Sequence, residues 1–256
     1  MQGFSANLGF LWTELSLPDA VRKARAAGFG AVECHWPYAV PAEELRAALE
    51  ETGLPLLGLN TRKGDREGDF GLAALPGREE EARAAIDEAV AYAAAVGARA
   101  VHVMAGRVAE DEAAEAAFAA NLAHACKAAE PHGITILIEP INHHDVPGYF
   151  LSRVEQAAAI IRRVGASNLK IMFDCYHTQI MQGDLVRRFA AHGDLIGHVQ
   201  IAAVPSRAEP DEGEICFERL LPAMRAGGYE GFFGAEYKPR AGTDEGLGWA
   251  RALANT

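Results

Sequence analysis

The sequence predicts an α/β fold in a single domain, a (β/α)8 barrel running through residues 1–256. Three observations carry this. Short apolar, β-branched runs alternate with helical stretches eight times, and such alternation calls for right-handed crossovers and a parallel sheet. No linker, low-complexity segment or composition break divides the chain, and eight units in about 250 residues fit a closed barrel. Four of the runs also end in an oxygen-bearing side chain: ITILIE in Glu139, LKIMFD in Asp174, IGHVQ in Gln200 and FFGAE in Glu236. The rival topology, a doubly wound open sheet, seldom reaches eight regular units. No G-x-G-x-x-G follows the first strand, so its usual nucleotide signal is missing.

Taken in order, 4–8 (FSANL) is a short strand and 18–27 a helix, with Pro18 suited to the first turn and Gly28 to the stop. The second strand, 31–34 (AVEC), carries Glu33 towards the loop at 35–38. A helix over 41–51 ends at Gly53, and 56–60 (LLGLN) is the third strand. The stretch 61–77, rich in glycine and charge, is far longer than the usual connection and is expected to cover the active site. An Ala-rich helix follows over 78–96, its apolar face formed by Ile86, Ala89, Val90 and Ala93. The fourth strand, 100–104 (AVHVM), carries His102, expected to be a satisfied core residue. A helix over 110–130, stopped by Pro131 and Gly133, leads to the fifth strand, 134–139. The loop 140–150 holds His143 and His144, read as loop residues. Ser152 is the expected N-cap of a helix reaching Val164, with Glu155 completing a capping box. Strand 169–174, a helix near 183–191, strand 195–201, a helix over 217–226, strand 232–236 and a helix over 243–254 complete the chain.

Half of the residues are hydrophobic and 23% are charged, ordinary for a globular protein. No apolar run reaches the roughly 18 residues that span a bilayer, and the N-terminus has no signal-peptide pattern. The net charge of −11 argues against nucleic acid or an anionic membrane as a partner. Cys34, Cys126, Cys175 and Cys216 are scattered without zinc spacing and read as reduced thiols of a cytoplasmic protein. A homo-oligomer is compatible with all of this.

In a barrel of this kind the active site forms at the C-terminal ends of the strands. Glu139, Asp174, Gln200 and Glu236 stand there on strands five to eight, and neighbouring strands lie roughly 4.8 Å apart. Three carboxylates crowded together repel one another unless a cation intervenes. All-oxygen ligation selects a hard divalent ion, Mg²⁺ or Mn²⁺ over Zn²⁺. These four residues are therefore the expected metal ligands.

The motifs ALPGRE (74–79), MAG (104–106), EPIN (139–142), FDCYH (173–177), HVQIA (198–202), EPDEGEI (209–215) and AEYKPR (235–240) resemble the hydroxypyruvate isomerase family. That family belongs to the xylose isomerase-like barrels, with sugar 3-epimerases as relatives, and the resemblance covers essentially the whole chain. Gln200 is the telling position, since ketose 3-epimerases place His there. The resemblance implies that Glu139 and Glu236 are the acid–base pair as well as metal ligands, and that Asp174 and Gln200 complete the coordination. It further implies that His177 and Arg207 contact substrate. The implied reaction interconverts hydroxypyruvate and tartronate semialdehyde through a cis-enediolate, whose charge a divalent ion stabilises. Arg207, Lys63, Arg66, Lys238 and Arg240 are candidates for holding the substrate carboxylate. EPIN and its His pair also resemble a subgroup acting on 2-oxo-tetronates, so three- and four-carbon substrates both stand, with ketose 3-epimerisation a further possibility. Two other classes fit less well. A phosphodiesterase like endonuclease IV needs more metal-binding His and a basic surface. A non-catalytic sugar-binding barrel has no need of an acid–base pair.

Overall fold

The structure, a computed structural model, describes residues 3–253. Eight parallel strands form one nearly closed barrel: β1 (Phe4–Asn7), β2 (Ala31–Glu33), β3 (Leu59–Asn60), β4 (Ala100–His102), β5 (Thr135–Ile138), β6 (Leu169–Asp174), β7 (Ile196–Ile201) and β8 (Phe233–Ala235). Ladders run from β2 through β1, β8, β7, β6, β5 and β4 to β3. The seam between β2 and β3 is closed by a Val32–Leu56 bridge, and by backbone bonds from Cys34 N to Gly58 O (3.1 Å) and Asn60 N to His35 O (2.8 Å). The strands are buried along nearly their whole length, as their continuous apolar composition requires of a sheet covered on both faces.

Among the described residues ten α-helices wrap the barrel: α1 (Leu17–Ala27), α2 (Ala42–Thr52), α3 (Glu79–Val96), α4 (Glu112–Ala129), α5 (Val154–Val164), α6 (Cys175–Met181), α7 (Leu185–His192), α8 (Phe217–Ala226), α9 (Thr243–Gly246) and α10 (Gly248–Leu253). Pro18 sits in the first turn of α1, and Gly28 ends that helix at φ 92°, a conformation costly for residues with a Cβ. On α3 the residues Ile86, Ala89, Val90 and Ala93 are buried together, the stripe expected from their spacing.

Several boundaries differ from expectation. α4 begins at Glu112, because Asp111 is the N-cap and accepts from Ala114 N at 2.8 Å. α5 has no capping box. Arg153, not Ser152, is its N-cap, the Val154 N–H donates to Gln182 Oε1 at 2.8 Å, and Glu155 pairs with Arg188. The cap thus comes from a residue distant in sequence. α6 was not expected at all; its N-cap is Asp174, which accepts from Tyr176 N and His177 N at 2.7 and 3.4 Å. The last expected helix is split into α9 and α10, and residue 254 lies outside the described residues.

The long stretch after β3 is docked on the barrel mouth. Gly71 forms an antiparallel bridge with Ala105, and a Cβ at Gly71 would lie 2.6 Å from Met104 O. Only glycine permits that approach, and φ there is 109°. Asp69 receives two bonds from the Arg78 guanidinium, 2.6 and 2.9 Å, with both side chains 8% exposed. This bidentate pair pins the tip of the loop to the start of α3. Among the described residues no helix is long and apolar enough to cross a membrane.

Candidate active site at the mouth of the barrel

A cavity of about 260 Å³ opens at the C-terminal ends of the strands. Glu139, one residue past β5, and Glu236, one past β8, both line it, together with His35, His102, His177, Arg207 and Lys63. Asp174 ends β6 and is paired in register with Gln200 on β7, which is paired in turn with Gly234 of β8. The four side chains singled out in the sequence are therefore gathered on adjacent strand ends.

Their surroundings are unequal. Glu236 is fully engaged: Oε1 accepts from Asn7 Nδ2 and pairs with His35 Nε2, each at 2.9 Å, and Oε2 accepts from Arg207 Nη2 at 3.0 Å. Burial pushes its pKa up, but the His35 hydrogen bond and the Arg207 charge outweigh it and hold the carboxyl below its usual range. Glu139 has no hydrogen-bond donor on Oε1, and burial, then the charges of Glu236 and Asp174, push its pKa well above the usual value. Burial and Glu236 likewise raise Asp174, to about 7.

Among the described residues four buried side-chain oxygens have no hydrogen-bond partner; Thr178 Oγ1 is one, and the other three, Glu139 Oε1, Asp174 Oδ2 and Gln200 Oε1, belong to the side chains gathered at the strand ends. Buried polar atoms are rarely left so. The Gln200 amide is turned this way because its Nε2 donates to Glu33 Oε2 at 2.7 Å. Glu33 in turn accepts from Ser5 Oγ and pairs with His198 Nε2. A Cβ at Gly234 would stand 2.5 Å from Glu33 Oε1 and 2.9 Å from Gln200 Cγ, so β8 needs glycine where this network crosses the barrel. Two carboxylate oxygens and an amide oxygen suit a hard divalent cation. The residues present thus fit such an ion.

Atoms of Glu139, Asp174 and His177 also lie within 4.8 Å of one another in an arrangement that could hold a metal. The hydrogen bonds of His177 argue that it is a donor there instead. Its Nδ1 faces Asn142 Nδ2 at 2.6 Å and Asn142 N at 3.3 Å. The Asn142 amide is oriented by Asp145 N, which donates to Oδ1 at 2.8 Å. With two donors on Nδ1, the proton of the neutral ring resides on Nε2, which points at Glu139 Oε1 and Asp174 Oδ2, 3.7 Å from each.

The structure divides the basic candidates. Arg207, at φ 55°, reaches the cavity between the Phe10 and Tyr176 rings, pairing with Glu236 and, at 3.2 Å, with Asp145. Lys63 lines the cavity over the Trp36 ring. Arg66 is paired with Glu81, and Arg240 with Glu209, Asp211 and Glu212. Lys238 is exposed and does not line the cavity; only its backbone N–H approaches, donating to Arg207 O at 2.7 Å. Exposed and off the cavity wall, Lys238 is not brought to the site.

His102 is not a satisfied core residue. It is buried, yet it lines the cavity, and neither ring nitrogen has a hydrogen-bond partner. As the last residue of β4 it stands at the mouth rather than within the wall, and burial lowers its pKa to about 3. His143 and His144 are exposed loop residues, and neither lines the cavity. Cys175, next to Asp174 in the chain, is buried, and burial, then the Asp174 charge, push its thiol pKa well up, which fits no nucleophilic role. Four contributors had escaped the sequence reading: Asn7, Glu33, His35 and Asn142. Asn7 and Glu33 end β1 and β2, so the strand-end rule used for the other four would have found them.

The model of the xylose isomerase-like TIM barrel family matches residues 21–253. The chain belongs to this family. Among its relatives, a 2-oxo-tetronate isomerase of Cupriavidus necator is 47% identical over 255 residues, covering 98% of each chain. A putative hydroxypyruvate isomerase of Homo sapiens is 45% identical over 97% of this chain and 94% of its own. The crystal structure of an AP endonuclease, family 2, from Brucella melitensis superposes with a TM-score of 0.94 at 39% identity, over 98% of this chain and 99% of the other. The resemblance read from the sequence thus holds, and the family's curated relatives here are isomerases.

Proposed function

We propose that the protein is a metal-dependent isomerase interconverting hydroxypyruvate and 2-hydroxy-3-oxopropanoate (tartronate semialdehyde), with Glu139 and Glu236 as the acid–base pair. One observation carries this reading: Glu139 and Glu236, held in opposite electrostatic states, line the same small cavity, and on the neighbouring strand ends Asp174 and Gln200, like Glu139, each keep an oxygen without a partner. Glu139, Asp174, Gln200 and Glu236 would hold a divalent ion, Mg²⁺ or Mn²⁺. Such an ion supplies Lewis-acid stabilisation of negative charge on adjacent substrate oxygens.

The protein's own groups account for the proton movements. A proton leaves C3 of hydroxypyruvate to one Glu, giving a cis-enediolate, and C2 is protonated on return. The hydroxyl proton moves from the C3 oxygen to the C2 oxygen by way of the second Glu. Glu236, held by Arg207, His35 and Asn7, keeps a fixed orientation throughout. His177 offers an Nε2–H to a substrate oxygen. The aromatic walls from Phe10, Trp36 and Phe70 limit water around the reacting carbons.

A second reading, isomerisation of a 2-oxo-tetronate, keeps the same residues and adds one carbon. It is favoured by the 47% identical relative of that name, whereas the His pair after EPIN gives it no support, lying off the cavity. The test is a substrate panel in D2O with Mg²⁺, following solvent deuterium at C2 and C3 by NMR and comparing kcat/KM for hydroxypyruvate, 2-oxo-tetronates and ketohexoses. EDTA should abolish turnover and Mg²⁺ or Mn²⁺ restore it. Exchange into none of these substrates, or full activity after thorough demetallation, would sink the reading.

A further inference from the structure

We propose that Lys63 is the residue by which this site recognises a substrate carboxylate, so that the cavity selects 2-oxo acids over neutral ketoses; the inference rests on the isomerase reading above. The geometry of charge in the cavity points to it. Two basic side chains line the wall, Arg207 and Lys63. Arg207 is already matched, by Glu236 at 3.0 Å and Asp145 at 3.2 Å. Lys63 has no carboxylate within 4.0 Å among the described residues. Its Nζ lies 3.8 Å from the centre of the Trp36 ring and 5.3 Å from that of Phe70.

Ring faces attract a cation, but they do not replace a counter-ion. Among the described residues no acceptor takes the ammonium's donors, beside a cavity walled in part by aromatic rings, which is the state of a group built to receive an anion. Burial lowers its pKa, a cost that an arriving carboxylate would offset. The scaffold also holds it in place. The Lys63 carbonyl accepts from Gly71 N at 2.7 Å, so Lys63 and Phe70 are fixed by the segment that Asp69 and Arg78 pin down. Phe70 in turn packs edge-on against Tyr149. The loop that covers the site therefore also carries its charge selectivity, placing the cation on the wall of the cavity that Glu139 and Glu236 line.

The experiment compares the wild type with Lys63→Met, which keeps the apolar stem, and Lys63→Arg, which keeps the charge. The substrates are hydroxypyruvate and dihydroxyacetone, identical except for CH₂OH in place of the carboxylate. The Met variant should lose roughly 10- to 100-fold in kcat/KM on the acid, the range of a charge-assisted hydrogen bond, mostly through KM. Its loss on the neutral ketose should be several-fold smaller than on the acid, and the Arg variant should recover most of the loss on the acid. Equal losses on both substrates, or none on the acid, would overturn the proposal. Calorimetric binding of glycerate, an unreactive acid, separates this from the parent reading. Glycerate affinity that is the same in wild type and Lys63→Met overturns the role of Lys63 even if turnover is found. Affinity that falls in the variant, in a protein that turns over no 2-oxo acid, upholds Lys63 as an anion site and overturns only the isomerase reading.

Discussion

Glu33 Oε2 accepts a 2.7 Å hydrogen bond from Nε2 of Gln200, and this contact decides which way the Gln200 amide faces. An amide is two-sided, so its oxygen can serve a cation only if something claims the nitrogen. Glu33 does so while paired with His198, at 3.1 Å. Burial alone would raise Glu33 and lower His198. Their mutual charge outweighs it, so Glu33 is shifted down and His198 up, and both favour the ionised pair. Glu33→Leu should therefore lower affinity for Mn²⁺ by roughly 10- to 100-fold, as expected when a group orienting a ligand is lost. It should also lower the melting temperature, because it strands a buried His. Glu33→Gln, which keeps an oxygen for Gln200, should fall between. Mn²⁺ titration followed by electron paramagnetic resonance reads the affinity; unchanged affinity in Glu33→Leu would show that Gln200 is not oriented this way.

The acid–base pair is tested by Glu139→Gln and Glu236→Gln. Each should reduce kcat by about 10²- to 10⁴-fold, the usual worth of a positioned proton donor or acceptor, with circular dichroism unchanged. The two should differ in stability. Glu139 has no close donor to leave behind, so its neutralisation relieves repulsion with Asp174 and Glu236 and should raise the melting temperature of the metal-free protein. Glu236→Gln removes the charge that Arg207 faces at 3.0 Å and should lower it. The reverse order of melting temperatures would contradict the electrostatic assignment.

The barrel was legible because its signals are local and repeated. Each of β5 to β8 announces itself by an apolar run and a terminal polar residue, and adjacent strands have to bring those termini together. What escaped was set by contacts between distant segments. Ser152 looked like a cap, yet Gln182, on the far side of α6, takes the Val154 N–H. Asp174 is expected from its strand end as a metal ligand, but its second task, capping α6, shows only in the structure. Of five basic residues near the mouth in sequence, only Lys63 and Arg207 reach the cavity. Nothing in composition separates Lys63 from Lys238; the docking of the loop onto Ala105 does.

That docking has a pH dependence with a definite sign. The Arg78 hydrogen bonds, outweighing burial, hold the Asp69 carboxyl below its usual range. A carboxyl lowered on folding contributes stability that is fully present above its unfolded pKa and lost as pH falls through the folded one. Hydrogen-exchange protection of residues 61–77, compared with that of the β-strand amides, should therefore hold steady from neutral pH to about 4 and fail only below it. Asp69→Asn should show weak protection across the whole range. A wild-type loop that loosens between pH 7 and 5 would mean that another group controls it.

Asn142 is expected to act on the reaction through His177 without touching the reacting carbons. Its side-chain and backbone N–H groups, 2.6 and 3.3 Å from Nδ1, keep the ring proton on Nε2, facing Glu139 and Asp174. Asn142→Asp preserves shape and still accepts from Asp145 N. It places an oxygen where the amide nitrogen was, however, and so draws the proton to Nδ1. The lone pair on Nε2 would then oppose the carboxylate oxygens, and a substrate oxygen would lose its donor. kcat should fall about 10-fold or more, with a smaller change in KM, since the lost contact matters most as charge develops on the substrate oxygens. Nitrogen-15 spectra of the His177 ring should move from the Nε2–H to the Nδ1–H pattern in the variant. If the ring keeps its proton on Nε2 while kcat still falls, the loss has another cause and Asn142 does not set the tautomer.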